Sequence, residues 1–215
     1  MKKIHCLFKR EQIGSKYLAI PEYSEDAGHA PNRPTRATVK WDGTACLLHE
    51  GQLYARRKLK LGAESPEGWR HWRFQKPRYD DLHPPRTSGH GWVPVDVGVE
   101  YARHRDAYVR LPENPPDGTY ELVGPGIQSN PYEQEKPTLI LHGVHIIETV
   151  SIHGVSALRA FQTIEAFLSE WWMEGIVFWD DDNEPVAKIT KRDFGFAWPS
   201  TEEVPNLRGS KLVTP

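Results

Sequence analysis

Lys40 is the residue of this sequence with the clearest capacity for covalent chemistry. It stands in Thr38-Val39-Lys40-Trp41-Asp42-Gly43-Thr44, where an alternating, β-prone run ends at an Asp-Gly turn signal. A lysine amine is a nucleophile toward phosphorus once its ammonium has lost a proton. A Lys-x-Asp-Gly motif alone is more often a plain turn beside a solvated lysine, so other charged residues must decide between the two interpretations.

Two carboxylates and a second lysine lie in strand-like segments farther along the chain. Glu121 is in the run 119–123, just before a glycine-rich loop, and Glu174 begins the apolar run 174–179. Lys188 lies in the run 186–190, which the turn 180–184 connects to 174–179 as a β-hairpin. Glu174 and Lys188 are therefore expected toward the same end of a strand pair. Glu121 is expected either to accept a hydrogen bond from a ligand hydroxyl or to face solvent on an edge strand.

Two histidines and an aspartate run are weaker candidates. His142 and His145 interrupt the apolar run 139–147, where histidines are typically core or edge residues with satisfied rings. Residues 180–182 are three consecutive aspartates without the spacing of a calcium loop. We therefore predict a solvated turn at 180–182.

The segment 54–79 is the basic part of the chain. It holds eight Lys or Arg and two Glu, a local charge of +6 in a chain of net charge −2, which leaves −8 elsewhere. Aromatic and basic residues interleave in 69–74, a pattern that permits stacking on bases and neutralisation of phosphates. The alternative is that the tryptophans belong to the core and the arginines flank them.

The elements that must position these residues can be outlined from the pattern. Runs 35–40 and 45–48 are predicted as a β-hairpin through Asp42-Gly43, with 53–56 as a third strand antiparallel to the second. That arrangement would bring Arg56 near Lys40 across a small sheet. Apolar residues recur every three or four positions in 156–172, which predicts a helix with Ser156 as its N-cap.

Composition bounds the class of protein. The chain has 215 residues, of which 38% are hydrophobic and 26% charged, values typical of a globular protein. We predict one domain over 1–215, with a loop-rich N-terminal extension at 1–34 and a C-terminal tail at 200–215. No run of about 18 apolar residues is present, so a cytoplasmic location without membrane contact is expected. Cys6 and Cys46 are too few for a disulfide framework and are expected as reduced thiols.

Taken in order, five segments resemble the motifs of the covalent nucleotidyltransferases, which include ATP-dependent ligases and mRNA capping enzymes. They are 40–44, Arg56, 121–125, 174–177 and Lys188. Within that superfamily the chain most resembles the RNA ligase 1 family, the small stand-alone ATP-dependent RNA ligases of vertebrates. The resemblance extends to 91–95, 124–132, 142–143 and 194–199, and it covers most of 35–199.

The resemblance implies an α+β nucleotidyltransferase domain, also called a ligase adenylation domain, in which two antiparallel sheets are flanked by helices. Only 24 residues follow Lys191, so no OB-fold domain is expected. It also implies an ATP-dependent RNA ligase that joins 5′-phosphate and 3′-hydroxyl RNA ends through a lysyl-AMP and then an adenylylated RNA 5′ end. ATP and Mg²⁺ or Mn²⁺ are the implied cofactors and RNA the implied partner. The alternatives are a DNA ligase, a capping-type guanylyltransferase, or a non-catalytic RNA-binding module on the same fold.

Residue roles are carried over from the same resemblance. Lys40 is the implied catalytic nucleophile, and the implied nucleotide contacts are Val39, Arg56, Glu121, His142, Glu174, Lys188 and Lys191. Glu121 would contact the ribose, and His142 or His145 would stack on the adenine. Glu174 would hold the magnesium-bound phosphates, and Lys188 would touch the α-phosphate.

Two further expectations follow from the resemblance. The family commonly carries a second lysine two residues after the first, but Thr190 stands there, and Lys191 would point to the other face unless a bulge realigned it. The basic segment supplies the candidate RNA-binding residues, which are Arg57, Lys58, Lys60, Arg70 and Arg73.

Overall fold

The computed structural model describes residues 4–28, 30–33, 35–60, 64, 66–70, 89–96 and 98–199. Within them the fold is α+β, with antiparallel sheets and few helices, as predicted. The chain divides into two compact units, one built mainly from 42–142 and the other from 4–41 and 143 onward. The single domain over 1–215 stays a prediction.

The 42–142 unit contains a five-stranded antiparallel sheet. Its strands are β4 (Thr44–His49), β5 (Gln52–Leu59), β6 (Gly89–Pro94), β7 (Gly118–Val123) and β8 (Thr138–Leu141), in the order β6-β5-β4-β7-β8. A 3-10 helix (Val99–Tyr101) leads into α1 (Ala102–Tyr108). Central strand β4 is covered on both faces, since Cys46 and Leu48 belong to the main core cluster while Leu47 packs with Trp92.

The other unit contains a three-stranded antiparallel sheet and a hairpin. The strands of the sheet are β3 (Arg36–Lys40), β9 (Gly175–Trp179) and β10 (Pro185–Thr190), in the order β10-β9-β3. The hairpin pairs β1 (Phe8–Ile13) with β2 (Lys16–Tyr23). Short 3-10 helices lie at Glu25–Ala27, Ala30–Asn32 and Lys191–Phe194. Every residue of central strand β9 is buried, which explains its uninterrupted apolar sequence.

Helix α2 (Ala157–Glu170) matches the predicted helix in position and cap. The Ser156 side chain accepts a hydrogen bond from the Arg159 N–H at 3.4 Å, so the predicted N-cap is confirmed. Ala160, Ile164 and Leu168 form the buried stripe at the four-residue spacing of one helix face. None of the helices in the described parts of the chain is long and apolar enough to cross a membrane.

Two expectations about strands are wrong. β3 pairs with β9, whereas β4 pairs with β5 and β7, so Asp42-Gly43 connects strands of different sheets and does not close a hairpin. Arg56, on β5, therefore does not share a sheet with Lys40. Residues 8–23 were expected as part of a loop-rich extension but form β1 and β2, which adds a third sheet to the two expected.

Candidate active site

Lys40 ends β3 and is paired with a carboxylate. Its backbone lies opposite Gly175 at the start of β9, and its Nζ donates a hydrogen bond to Oε2 of Glu174. The two side chains are only 22% and 17% exposed, so this ion pair is largely shielded from water. An ion pair shielded in this way interacts more strongly than one on the surface.

Hydrogen bonds on both sides hold β3 and so fix the direction of Lys40. The Thr38 hydroxyl donates to the Val177 carbonyl at 3.3 Å and accepts from Nε1–H of Trp179 at 2.8 Å. On the other side, the Val39 N–H donates to the His145 carbonyl at 3.0 Å. Val39 is itself buried. The nucleophile candidate thus extends from a strand that is anchored at the two preceding residues.

Gly175, between Lys40 and Thr190 in the strand register, is a position that only glycine fits. A Cβ there would collide with the Ile189 carbonyl oxygen and would lie 2.8 Å from Cα of Thr190. The close approach of β10 therefore excludes any side chain beside the Lys40 and Glu174 pair.

Lys188 lies on the same face of the sheet as Lys40. The register aligns Lys188 with Val177 and Thr38, and Thr38 is two residues before Lys40, so the side chains of the two lysines project to one side. Lys188 is half-buried. Burial, followed by the charge of Lys40, lowers the pKa of Lys188, and the charges of Glu174, Asp193 and Cys6 only partly oppose this. Glu174 and Lys188 therefore lie toward the same end of the β9–β10 pair, as predicted from the sequence, and Lys40 is beside Glu174.

The N-terminal segment contributes to this arrangement, which the sequence analysis missed. Lys188 donates its N–H to the His5 carbonyl at 2.9 Å, and its carbonyl accepts from the Leu7 N–H at 2.7 Å. Cys6, between those two residues, forms a parallel bridge with Lys188. Its thiol is free, as is that of Cys46, and burial raises the pKa of Cys6 to about 11. No sequence pattern in 4–7 signals this pairing.

Thr190 and Lys191, at the end of β10, both contact residues of the segment that follows the strand. The Thr190 hydroxyl donates to Asp193 Oδ2 at 2.6 Å, and the Thr190 N–H donates to the same oxygen at 2.8 Å, so Thr190 caps the 3-10 helix Lys191–Phe194. Lys191 is buried, its Nζ lies 5.9 Å from the ring centroid of Trp198, and burial lowers its pKa. The strand ends at Thr190 without a bulge that would realign Lys191, and the role of Lys191 in nucleotide binding stays a prediction.

In the 42–142 unit, Arg56 and Glu121 lie in the same row of the five-stranded sheet, on the two strands that flank β4. Cys46 of β4 pairs with Ala55 on one side and with Tyr120 on the other, so Arg56 and Glu121, the next residues, flank the small Ala45. Burial lowers the pKa of Arg56, and the charge of Glu121 opposes that change. The Arg56 Nε has no hydrogen-bond partner among the described residues.

His142 bonds Glu121 directly. Its Nε2 is 2.9 Å from Glu121 Oε2, and its Nδ1 is 3.0 Å from the Thr119 hydroxyl oxygen. Both residues are among the site residues expected from the sequence, but their contact and the part of Thr119 are not predicted by any sequence pattern. His145, the other candidate for stacking on adenine, packs edge-on against Trp41 with ring centroids 5.2 Å apart.

The turn that follows Lys40 in sequence is held from the segment 124–132. The Asp42 N–H donates to the Tyr132 hydroxyl at 2.7 Å, and Gln128 Nε2 donates to the Gly43 carbonyl at 3.2 Å. A Cβ on Gly43 would collide with the Leu122 carbonyl oxygen and lie 2.9 Å from Cγ of Glu121. Gly43 is therefore required for close packing against β7 and not for a hairpin.

Four of the candidate RNA-binding residues, Arg57, Lys58, Lys60 and Arg70, lie on or beside strand β5 and strand β6. Arg57 is exposed, donates to the Tyr101 hydroxyl at 2.8 Å and lies 3.7 Å from Glu100, while Lys58 and Lys60 are exposed. Arg70 pairs through its backbone with Trp92. Trp69 is buried in the core, as in the alternative interpretation, and Arg73 lies outside the described residues.

No cluster of three or more His, Cys, Asp or Glu in the described ranges is arranged to hold a metal ion. The aspartates 180–182 form the predicted turn, in which Asp180 Oδ1 accepts from the Asp182 and Glu184 N–H groups at 3.1 and 2.9 Å.

No protein-family model matches the chain. It is similar to RNA ligase 1 of Mus musculus, with 26% identity over 96% of this chain and 84% of the mouse protein. It is also similar to RNA ligase 1 of Rattus norvegicus, with 23% identity over 96% of this chain and 85% of the rat protein. These similarities are weak but extend over nearly the whole chain, and they support a relationship to RNA ligases.

Proposed function

We propose that this protein is an ATP-dependent RNA ligase with a nucleotidyltransferase fold, in which Lys40 becomes covalently attached to AMP. The observation that carries the proposal is the shielded pair of Lys40 with Glu174, with Lys188 on the same face of the sheet. A lysine that serves only packing or solubility needs neither partner. The similarity to the mouse and rat RNA ligases over nearly the full chain supports RNA as the substrate.

The first step forms a phosphorus–nitrogen bond. The amine of Lys40, after its proton is lost, attacks the α-phosphorus of ATP, and the bond to the bridging oxygen breaks so that pyrophosphate leaves with the electron pair. Before the attack, the hydrogen bond from Lys40 to Glu174 must open. The lowered pKa of Lys188, caused by burial and by the charge of Lys40, indicates that the two ammonium groups disfavour each other. Burial and the nearby like charge therefore both favour the neutral form of Lys188.

The next two steps transfer AMP and seal the strand. An oxygen of the RNA 5′-phosphate attacks the α-phosphorus, which breaks the phosphorus–nitrogen bond and returns Lys40 to its free form. The 3′-hydroxyl of a second RNA end then loses its proton as its oxygen attacks the RNA 5′-phosphorus, and the bond to the bridging oxygen breaks so that AMP leaves with the electron pair. In both steps, Lys188 is the cation suited to stabilise negative charge on the α-phosphate.

Glu174 fits a magnesium site of the kind that includes the substrate. Mg²⁺ in such sites is commonly held by one or two carboxylates together with phosphate oxygens, so a single carboxylate beside Lys40 is sufficient. When bound there, Mg²⁺ supplies charge neutralisation for the leaving pyrophosphate. In the other unit, Arg56 and Glu121 are suited to bind polar groups of the nucleotide, Glu121 accepting from a ribose hydroxyl.

Label transfer tests the proposal. The protein is incubated with Mg²⁺ and ATP, GTP, CTP or UTP labelled at the α-phosphate, then denatured and separated by electrophoresis. We expect label from ATP on the wild type and on Lys16→Ala, an exposed β2 control, and none on Lys40→Ala. Label from GTP alone would favour a guanylyltransferase, and no adduct with any nucleotide would refute covalent chemistry at Lys40.

A joining assay tests the acceptor. RNA and DNA strands with 5′-phosphate and 3′-hydroxyl ends are offered with ATP and Mg²⁺, and products are resolved by length. Joined RNA is the expected result. Joining of DNA alone would contradict the RNA assignment while leaving the chemistry at Lys40 intact.

A further inference from the structure

Thr119, His142 and Glu121 form a chain of hydrogen bonds in the 42–142 unit. Thr119 and Glu121 are two residues apart on β7, so their side chains project to the same face. His142 directly follows β8, and its N–H donates to the Thr119 carbonyl at 3.0 Å. The imidazole then reaches both side chains, at 3.0 Å from Thr119 Oγ1 and 2.9 Å from Glu121 Oε2.

The chemistry of the three groups gives the chain a direction. An ionised carboxylate only accepts hydrogen bonds, so Nε2 of His142 must carry the proton and donate to Glu121. In a neutral imidazole the other nitrogen, Nδ1, is then an acceptor. The Thr119 hydroxyl therefore donates to Nδ1. Thr119 is only 3% exposed, so water does not readily replace this bond.

The same bonds orient the carboxylate. Oε2 of Glu121 is occupied by His142, while Oε1 has no hydrogen bond or ion pair to any residue that the structure describes. Rotation of the carboxylate would break its bond to His142. That residue is itself held by two hydrogen bonds to Thr119, one from its backbone N–H and one at Nδ1 of its ring. Glu121 thus presents one acceptor oxygen in a fixed direction, and it suits a hydroxyl donor on a ligand.

We propose that Thr119, acting through His142, is a positioning residue that aims Glu121 at a ribose hydroxyl of ATP and so sets discrimination against deoxynucleotides. This inference rests on the proposed function, because it concerns the ATP of the adenylylation step. Thr119 does not touch the nucleotide itself. Without its hydroxyl, Nδ1 of His142 loses its hydrogen bond, so the ring and the Glu121 carboxylate bonded to it are held less firmly.

The test compares adduct formation with ATP, 2′-deoxyATP and 3′-deoxyATP. A hydrogen bond to a charged group is worth roughly 1.5–3 kcal/mol, so the wild type should use one deoxy analogue about 10- to 100-fold less efficiently than ATP. The analogue that is used poorly identifies the hydroxyl. In Thr119→Val, which keeps the shape of the side chain, kcat/KM for ATP should fall about 10-fold and that for the poor analogue should stay unchanged. Thr119→Ser, which restores the hydroxyl, should behave as wild type.

The deoxy analogue also serves as the folding control, because a damaged fold would lower activity with both nucleotides equally. An equal loss, or an unchanged preference for ATP in Thr119→Val, would overturn the role of Thr119. So would a wild type that forms the adduct without discriminating. A wild type that forms no adduct with ATP would instead refute the proposed function, so the two failures are distinguishable.

A double-mutant cycle tests whether the effect of Thr119 passes through the imidazole of His142. The amide of His142→Gln can donate to Glu121 without a partner at Thr119, so in that background Thr119→Ser and Thr119→Val should have equal preferences for ATP. A large difference between the two in the His142→Gln background would contradict a route through the imidazole.

Discussion

Lys40 and Glu174 share a hydrogen bond between the last residue of β3 and the residue that precedes β9. The register places the Lys40 backbone opposite Gly175, so the strand pairing itself brings the ammonium and the carboxylate together. Because the strand pairing already fixes the backbone on both sides, the ion pair costs only the rotamer freedom of the two side chains when it forms.

Replacement of Glu174 tests the function of this pair. Glu174→Gln keeps the shape of the side chain but removes its charge, so we expect lysyl-AMP formation to fall by about 10²-fold or more. Single-turnover measurements with labelled ATP and Mg²⁺ provide the rate. Glu148→Gln, an exposed position, is the matched control and should leave the rate unchanged. An unchanged rate in Glu174→Gln would exclude a role in this step.

Lys188→Met should separate activity from stability. The variant removes a half-buried ammonium whose pKa is lowered by burial and by Lys40, so the melting temperature at pH 7 should not decrease. Loss of the cation should slow lysyl-AMP formation by roughly 10²-fold. Calorimetry and label transfer measure the two effects. A strong decrease in melting temperature together with normal adduct formation would contradict both parts.

Lys191 should make stability depend on alkaline pH. Burial lowers its pKa in the folded state below the 10.5 of a free lysine, so between these two pKa values the unfolded chain binds more protons than the folded one. The free energy of unfolding should therefore rise as the pH increases toward 10.5, and this gain should fall away as the pH drops through the folded pKa. Urea unfolding at pH 7, 9 and 10 should show a smaller rise for Lys191→Met than for wild type. Identical pH profiles would contradict the buried ammonium.

Thr190 should be needed as a cap. Thr190→Val removes the hydroxyl that bonds Asp193, and we expect a loss of about 1 kcal/mol in the free energy of unfolding. Thr190→Ser keeps the hydroxyl and should cost only a few tenths of that amount. The measurement is denaturant unfolding of the two variants side by side. Equal losses would show that the hydrogen bond from the Thr190 hydroxyl to Asp193 contributes nothing.

Gly43→Ala should disturb β7. The added methyl group would collide with the Leu122 carbonyl oxygen and crowd Cγ of Glu121, so a loss of about 1–3 kcal/mol is expected. Gly14→Asn is the control, because its surroundings are open and its φ of 64° is one that Asn tolerates. Denaturant unfolding compares the two, and a harmless Gly43→Ala would contradict the close packing.

Periodicity and strand chemistry in the sequence predicted several elements correctly. The helix α2 with its Ser156 cap and the β9–β10 hairpin follow from local patterns that tertiary contacts reinforce. The grouping of Glu174 and Lys188 with Lys40 followed from that hairpin together with the resemblance of the motifs.

The wrong strand predictions have one physical cause. Asp42-Gly43 is a local turn signal, but β3 is paired with β9, about 135 residues away in sequence, and no local pattern encodes that partner. Strands β1 and β2 are mostly exposed and lack an alternating apolar face, so their sequence resembles a loop. The bond between His142 and Glu121 was missed because it depends on the register of β7 and β8.

The unit built from 4–41 and 143 onward is discontinuous in sequence, so it can be completed only late in synthesis on the ribosome. Residues 42–142 are contiguous and emerge before β9 and β10 have been translated, whereas β3 must wait for β9. Since domains tend to fold as their chain becomes available, the five-stranded sheet can form first. Two sets of contacts are then among the last to form. They are the ion pair of Lys40 with Glu174 and the backbone hydrogen bonds of His5 and Leu7 to Lys188. A truncated chain that ends before β9 would lack both sets of contacts, so in incomplete translation products Lys40 would have neither its carboxylate partner nor the neighbouring Lys188.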